Sequence, residues 1–216
     1  MTFEAVKSQF PYQQFDYSLP RHFETYTGRG KSIIVDAIKK NGFRDLLEIG
    51  VFLGASIDFF LNVEVNLRVV GCDPWEGGWA GTHSAANRYN DQYLLDLSSQ
   101  GVEWLNNGDS FFNIVNNGLI NFHERLVLMR QTFETGGPIL RDIGYQPDLI
   151  FLDATKEMDL LVLSRELFPK ALITGDDYRW LDENGEARMA MVVHEFAEKH
   201  NMDVEVCLDT WVLHDR

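Results

Sequence analysis

The chain is poor in cysteine, with two in 216 residues, Cys72 and Cys207. Both stand in apolar, strand-like stretches, where a free thiol behaves as a small buried hydrophobe. Neither a disulfide framework nor a cysteine zinc site is therefore expected. Positive charge is also scarce: 19 Lys and Arg against 33 Asp and Glu leave a formal net charge of −14. A field of that sign repels phosphates, which argues against nucleic acid or an anionic membrane as partner. No apolar run approaches the roughly 20 residues a membrane span needs. The N-terminus lacks a basic start followed by an apolar stretch, so no secretory signal is expected and the chain reads as cytoplasmic. There is no internal repeat and no low-complexity segment.

What remains is the composition of a folded protein, 45% apolar and 12% aromatic, at a length suited to one domain. Residues 1–30 read as an aromatic, irregular arm or short helix, with Phe3, Phe10, Tyr12, Phe15, Tyr17, Phe23 and Tyr26. The domain follows at 31–216. Ile33, Ile34, Ala37 and Ile38 predict a helix over 31–40, and Gly42 stands where its C-terminal cap belongs.

Five short apolar runs come next, ending at Ile49, Asp73, Met129, Asp153 and Asp177. Helical stretches are expected between them, at 55–61, 110–120, 138–143 and 159–168, with another at 187–200. Near-continuous apolar strands alternating with helices imply an α/β fold with a parallel sheet covered on both faces. The last two strands, 204–208 and 210–214, have little between them and should form an antiparallel hairpin at one edge. Residues 76–108 are too long for a plain connection. They read as an insertion carrying a helix at 84–97, either structural or a lid over a substrate.

The candidate chemistry lies at strand ends. In an open α/β sheet, ligands bind beyond the carboxyl ends of the strands. Gly50 follows the first strand and Gly54 opens the next helix, where backbone can approach a ligand and free N–H groups can meet an anion. Ser56 adds a hydroxyl at that helix start. Asp73 closes the second strand, where a carboxylate can accept both hydroxyls of a ribose. Trp75 offers a flat face to an adenine, although a core role suits it as well. The spacing is not Gly-x-Gly-x-x-Gly, which weakens a nicotinamide dinucleotide reading. Gly28-Arg29-Gly30-Lys31-Ser32 imitates the end of a phosphate-binding loop, but Thr25 stands where a glycine is required and no strand precedes it. Lys31 and Ser32 read instead as the start of a surface helix.

These segments resemble class I S-adenosylmethionine (SAM)-dependent methyltransferases. Leu46-Leu47-Glu48-Ile49-Gly50-Val51-Phe52-Leu53-Gly54-Ala55-Ser56 is similar to their first motif, and Val70-Gly71-Cys72-Asp73-Pro74-Trp75-Glu76-Gly77 to their second. Asp148-Leu149-Ile150-Phe151-Leu152-Asp153 resembles the fourth-strand motif. Leu172-Ile173-Thr174-Gly175-Asp176-Asp177-Tyr178 resembles the fifth. Within the superfamily, the turn at Asp73, the Arg130-x-Thr132-Phe133 stretch and Gly175-Asp176-Asp177 look most like the macrocin O-methyltransferase-like branch.

The resemblance implies a Rossmann-like methyltransferase sandwich, a mostly parallel seven-stranded sheet with the antiparallel C-terminal hairpin. It places Glu48, Gly50, Gly54 and Ser56 around the methionine end of SAM, Asp73 on its ribose, and Gln131 and Thr132 beside the adenine. It also implies that Asp153, Asp176 and Asp177 bind Mg2+ or another divalent cation, which can lower the pKa of an attacking hydroxyl. The plainer alternative is that one aspartate caps a helix or pairs with Arg179. The branch commonly carries Asp-x-x-His at the fourth strand. Here Asp153-Ala154-Thr155-Lys156 puts Lys156 in place of the histidine, a candidate base, holder of an acidic substrate group or neutraliser of the site. His83, in the insertion, is the other nearby base candidate.

The implied activity is methyl transfer to an oxygen of a small molecule or sugar, with Asp153 and Lys156 as catalytic residues. Two rival readings stand beside it: a SAM-binding protein with altered catalysis, and a dinucleotide-dependent oxidoreductase. The aromatic arm could pack on a second subunit in a homo-oligomer.

Overall fold

Each apolar run forms a strand: β1 Asp45–Ile49, β2 Arg68–Asp73, β3 Leu126–Arg130, β4 Leu149–Leu152, β5 Leu172–Gly175, β6 Met202–Cys207 and β7 Thr210–Asp215. The structure is a computed structural model that describes residues 2–13, 28, 30–76, 108–182 and 184–216. The seven strands form one sheet in the order β3-β2-β1-β4-β5-β7-β6. Strands β1 to β5 pair in parallel. β7 runs antiparallel to both β5 and β6, so the expected C-terminal hairpin closes one edge. β1 and β4 are central neighbours, and chain order runs outward from them in opposite directions. A crevice therefore opens beyond their carboxyl ends.

Alternation along the central strands builds two cores. Leu47 and Ile49 of β1 join Ile150 and Leu152 of β4 on one face. Leu46 joins Leu149 and Phe151 on the other. The first face is covered by α1 (Phe3–Gln9), α5 (Phe133–Asp142), α6 (Met158–Leu167) and α7 (Arg188–Lys199), which contribute Phe3, Leu140, Leu161 and Phe196. The second is covered by α2 (Ser32–Asn41), α3 (Ala55–Val63) and α4 (Gly108–Gly118), through Ile34, Ile57 and Phe111. At about 2 kcal/mol for each fully buried large apolar side chain, both faces are strongly held.

The start of α5 and the packing of the N-terminal arm depart most from expectation. α5 begins at Phe133, five residues before Pro138, and so carries Gly136 and Gly137 in its body. A Cβ on Gly137 would lie 2.6 Å from Leu167 of α6, so close helix packing, not local preference, decides this start. Residues 2–13, the described start of the arm, are also less separate than their composition implies, while Phe15, Tyr17, Phe23 and Tyr26 lie outside the described residues. Phe3 and Val6 are buried in the first core, and Lys7 reaches Glu124 at 2.8 Å. The helix expected at 84–97 and the base candidate His83 lie outside the described residues.

Candidate functional site

The turn after β1 is shaped by glycine and held by Asp73. Gly50 has φ +84°, and a Cβ there would come within 2.3 Å of the Asp153 carbonyl oxygen. Only glycine lets β1 and β4 leave the sheet this close together. Asp73 Oδ2 accepts the N–H groups of Val51 at 2.9 Å and Phe52 at 3.0 Å, and Oδ1 accepts that of Trp75 at 2.8 Å. The carboxylate expected on a ribose thus first serves as the clasp of the glycine turn. Among the described residues Oδ1 takes a single donor, and a carboxylate oxygen can accept two.

Glu48 lies under this turn with no exposure. Ser56 Oγ, buried at the start of α3, donates to its Oε1 at 2.5 Å. Its Oε2 is buried without a hydrogen-bond partner among the described residues. Burial raises the Glu48 carboxyl well above its usual range, opposed by the Ser56 hydrogen bond; Asp153 and Asp73 add to the rise and Lys31 opposes it. A buried acceptor with no donor is costly, and at a strand end it marks where a ligand's donor belongs.

Trp75 corrects an expectation. Its indole is 1% exposed, donates from Nε1 to the Phe52 carbonyl at 2.9 Å, and meets Phe112 edge-on at 5.0 Å. The face expected under an adenine belongs to the core. Gln131 and Thr132 remain half-buried where β3 gives way to α5. Thr135 donates to Gln131 Oε1 at 3.1 Å and to the Thr132 carbonyl at 3.0 Å, which fixes both beside the carboxyl end of β2.

Asp176 and Asp177, which follow β5, lie within electrostatic reach of Asp153, which follows β4. Burial, then the charges of Asp176 and Asp177, raise Asp153 to about 7, while Lys156 and Lys31 oppose the rise. Two of the three already have cations. Lys31 Nζ lies 2.5 Å from Asp176 Oδ2, and Lys156 Nζ lies 2.5 Å from Asp177 Oδ2. Neither aspartate needs Arg179. Thr210 Oγ1 donates to Asp176 Oδ1 at 3.3 Å, and Lys156 is tied back to the Ala154 carbonyl at 2.7 Å. Among the described residues, no three His, Cys, Asp or Glu side chains are grouped so as to hold a metal ion. As arranged, the donors expected for a divalent cation do not fit one, because ammonium groups hold two of the three, Asp176 and Asp177.

Lys31 is the residue that sequence reasoning missed. Read as the start of a surface helix, it is 1% exposed and lies over the Phe151 ring at 5.0 Å. The signal was its place: a lysine at the N-terminal cap of α2 opposes the helix dipole, so some carboxylate has to account for it. Gly30 allows this entry, since a Cβ there would meet the Cys207 carbonyl at 2.7 Å.

Beside Lys156 opens a cleft of about 600 Å³, walled by Ala154, Thr155, Lys156, Asp177, Trp180 and Arg188. That volume suits a small molecule.

No protein-family model matches the chain, and no curated protein does. Solved structures do resemble it. An O-methyltransferase of Streptomyces achromogenes involved in tomaymycin synthesis, in complex with SAM, is 17% identical, with a TM-score of 0.55 over 97% of this chain and 88% of that one. An SAH-bound methyltransferase of Podospora anserina is 13% identical, with a TM-score of 0.55 over 99% and 85%. An O-methyltransferase of Bacillus cereus in complex with SAH is 16% identical, with a TM-score of 0.51 over 97% and 86%. At these identities the likeness establishes a Rossmann-like methyltransferase fold.

Proposed function

We propose that this chain transfers the methyl group of SAM to an oxygen of a small molecule or sugar. One observation carries the reading: the buried Glu48 Oε2, unpartnered among the described residues, under a glycine turn clasped by Asp73. The α-ammonium of a methionine moiety is a donor suited to that oxygen. Gly50 and Gly54 line the turn beside it, and Asp73 Oδ1 can take a ribose hydroxyl. Gln131 and Thr132 would flank the adenine. Bound there, SAM supplies an activated methyl group, and the protein's part is alignment.

The acceptor enters the cleft beside Lys156. Held between Asp177 and the Ala154 carbonyl, the Lys156 ammonium is suited to steady an acceptor oxygen as it gains negative charge. Asp153, at about 7, is suited to take the hydroxyl proton near neutrality. No step passes through a divalent ion.

Isothermal titration with SAM and SAH tests the first half, with Glu48→Ala as control. We expect binding that the variant weakens by about tenfold or more, as loss of a charged hydrogen bond implies. No heat with either ligand at millimolar concentration would end the reading. Cofactor binding without turnover on a panel of phenols, catechols and sugars would instead favour a binding protein with altered catalysis.

A further inference from the structure

We propose that Lys31 is a built-in cation of the site, filling the place on Asp176 that a divalent ion would otherwise take. The centre then works without a bound metal. Lys31 is 1% exposed, and its ammonium lies 2.5 Å from Asp176 Oδ2. Thr210 engages the other carboxylate oxygen at 3.3 Å, and Trp211 Nε1 donates to the Asp176 carbonyl at 3.0 Å. Asp176 is thereby pinned from three sides. The charge of Lys31 also acts on Glu48 and Asp153, so it lies within electrostatic reach of three carboxylates.

A surface lysine could swing aside to admit an ion. This one is confined. Its N–H donates to the Gly28 carbonyl at 3.0 Å, and its own carbonyl accepts from Ile34 and Val35, both at 3.1 Å. The β6–β7 turn closes against Gly30 immediately before it. Mg2+ takes a near-octahedral shell of oxygens at about 2.1 Å. A divalent ion on Asp176 would sit beside the Lys31 ammonium, 2.5 Å from the same carboxylate, and like charges that close repel. Moving Lys31 aside would take a buried ammonium from its carboxylate, which is costly. Lys156 lies 2.5 Å from Asp177 in a more exposed ion pair, so the second carboxylate is also compensated by a lysine.

Electron paramagnetic resonance of Mn2+ titrated into the purified protein near neutral pH tests this without any methyl acceptor. Its outcome is therefore separate from that of the methyl-transfer reading. Wild type should leave Mn2+ free up to about 1 mM, the weak end of protein cation sites. Lys31→Ala, folded by circular dichroism, should bind Mn2+ at least about tenfold tighter, the scale on which site residues tune metal affinity. Adding Asp176→Asn should remove the gain. Lys31→Arg, which keeps the charge, should remain like wild type. Micromolar Mn2+ binding by wild type that Asp176→Asn abolishes would overturn the proposal, and that measurement needs no lysine variant to fold. A folded Lys31→Ala protein with no gain in affinity would overturn it equally.

Discussion

Ser56 Oγ donates to Glu48 Oε1 at 2.5 Å in a pocket closed to solvent, and the second oxygen of the same carboxyl has no partner among the described residues. A folded protein tolerates such an atom when function gives something in return. Glu48→Gln is therefore expected to raise the thermal midpoint of the ligand-free protein while weakening SAM by about tenfold, as loss of a charged hydrogen bond implies. Ser56→Ala should cost about 1–2 kcal/mol, because Oε1 then loses its donor as well. Thermal scans with and without SAM check both. Equal destabilisation by Glu48→Gln in the two conditions would show that the carboxyl is only structural.

Asp73 accepts three backbone N–H groups, two of them from the glycine turn. Asp73→Ala should cost about 3 kcal/mol, since several charge-assisted bonds to backbone are lost together. It should also abolish measurable cofactor binding. Asp73→Asn keeps the shape and part of the bonding, so it should lose less on both counts. Urea unfolding and calorimetric titration of the two variants separate the clasp from the ribose contact: an Asn variant of near-wild-type stability that still binds SAM poorly assigns the deficit to the ligand.

Gly50→Ala forces a side chain into the left-handed region and against the Asp153 carbonyl oxygen at 2.3 Å. Left-handed strain alone is about 1–3 kcal/mol, and the contact with rigid backbone adds to it. The variant should be among the least stable single substitutions in the chain. A midpoint within a few degrees of wild type, in the same urea or thermal assay, would contradict the close approach of β1 and β4.

The Asp153 carboxyl is raised from 3.8 to about 7 by burial and by its Asp176 and Asp177 neighbours. Over that interval the folded form holds a proton that the unfolded chain has released. The group's contribution is thus fully present below about 3.8 and is lost as pH rises through about 7. Asp153→Asn cannot ionise, so its stability should not fall across this window as wild type's does. Urea unfolding at a series of pH values reads the difference, and parallel curves would remove the shifted group from the account.

The elements themselves were largely legible. Short apolar runs marked β1 to β5, and Gly42 marked the end of α2, where it adopts φ +67°. These signals are local: they rest on periodicity and on which residue tolerates which backbone angle. The start of α5 was not legible, because Gly136 and Gly137 are helical only through the fit of α5 against α6 and β2. Trp75 was ambiguous for the same reason, since a flat ring before an insertion suits a ligand or a core equally until Phe112 is in place.

The aspartates at the strand ends show the division most clearly. That Asp153, Asp176 and Asp177 would gather follows from apolar runs ending in acids, which a parallel sheet must deliver to one edge. What answers their charge could not be read in that way. Lys31 and Asp176 are 145 residues apart, and no periodicity links them. The sequence by itself determined the strands, the glycine turn and the acids. Only the tertiary structure decided that two ammonium groups, the buried Lys31 and the half-buried Lys156, compensate Asp176 and Asp177, because electrostatic energy depends on distance in space, and the order of the sheet sets that distance.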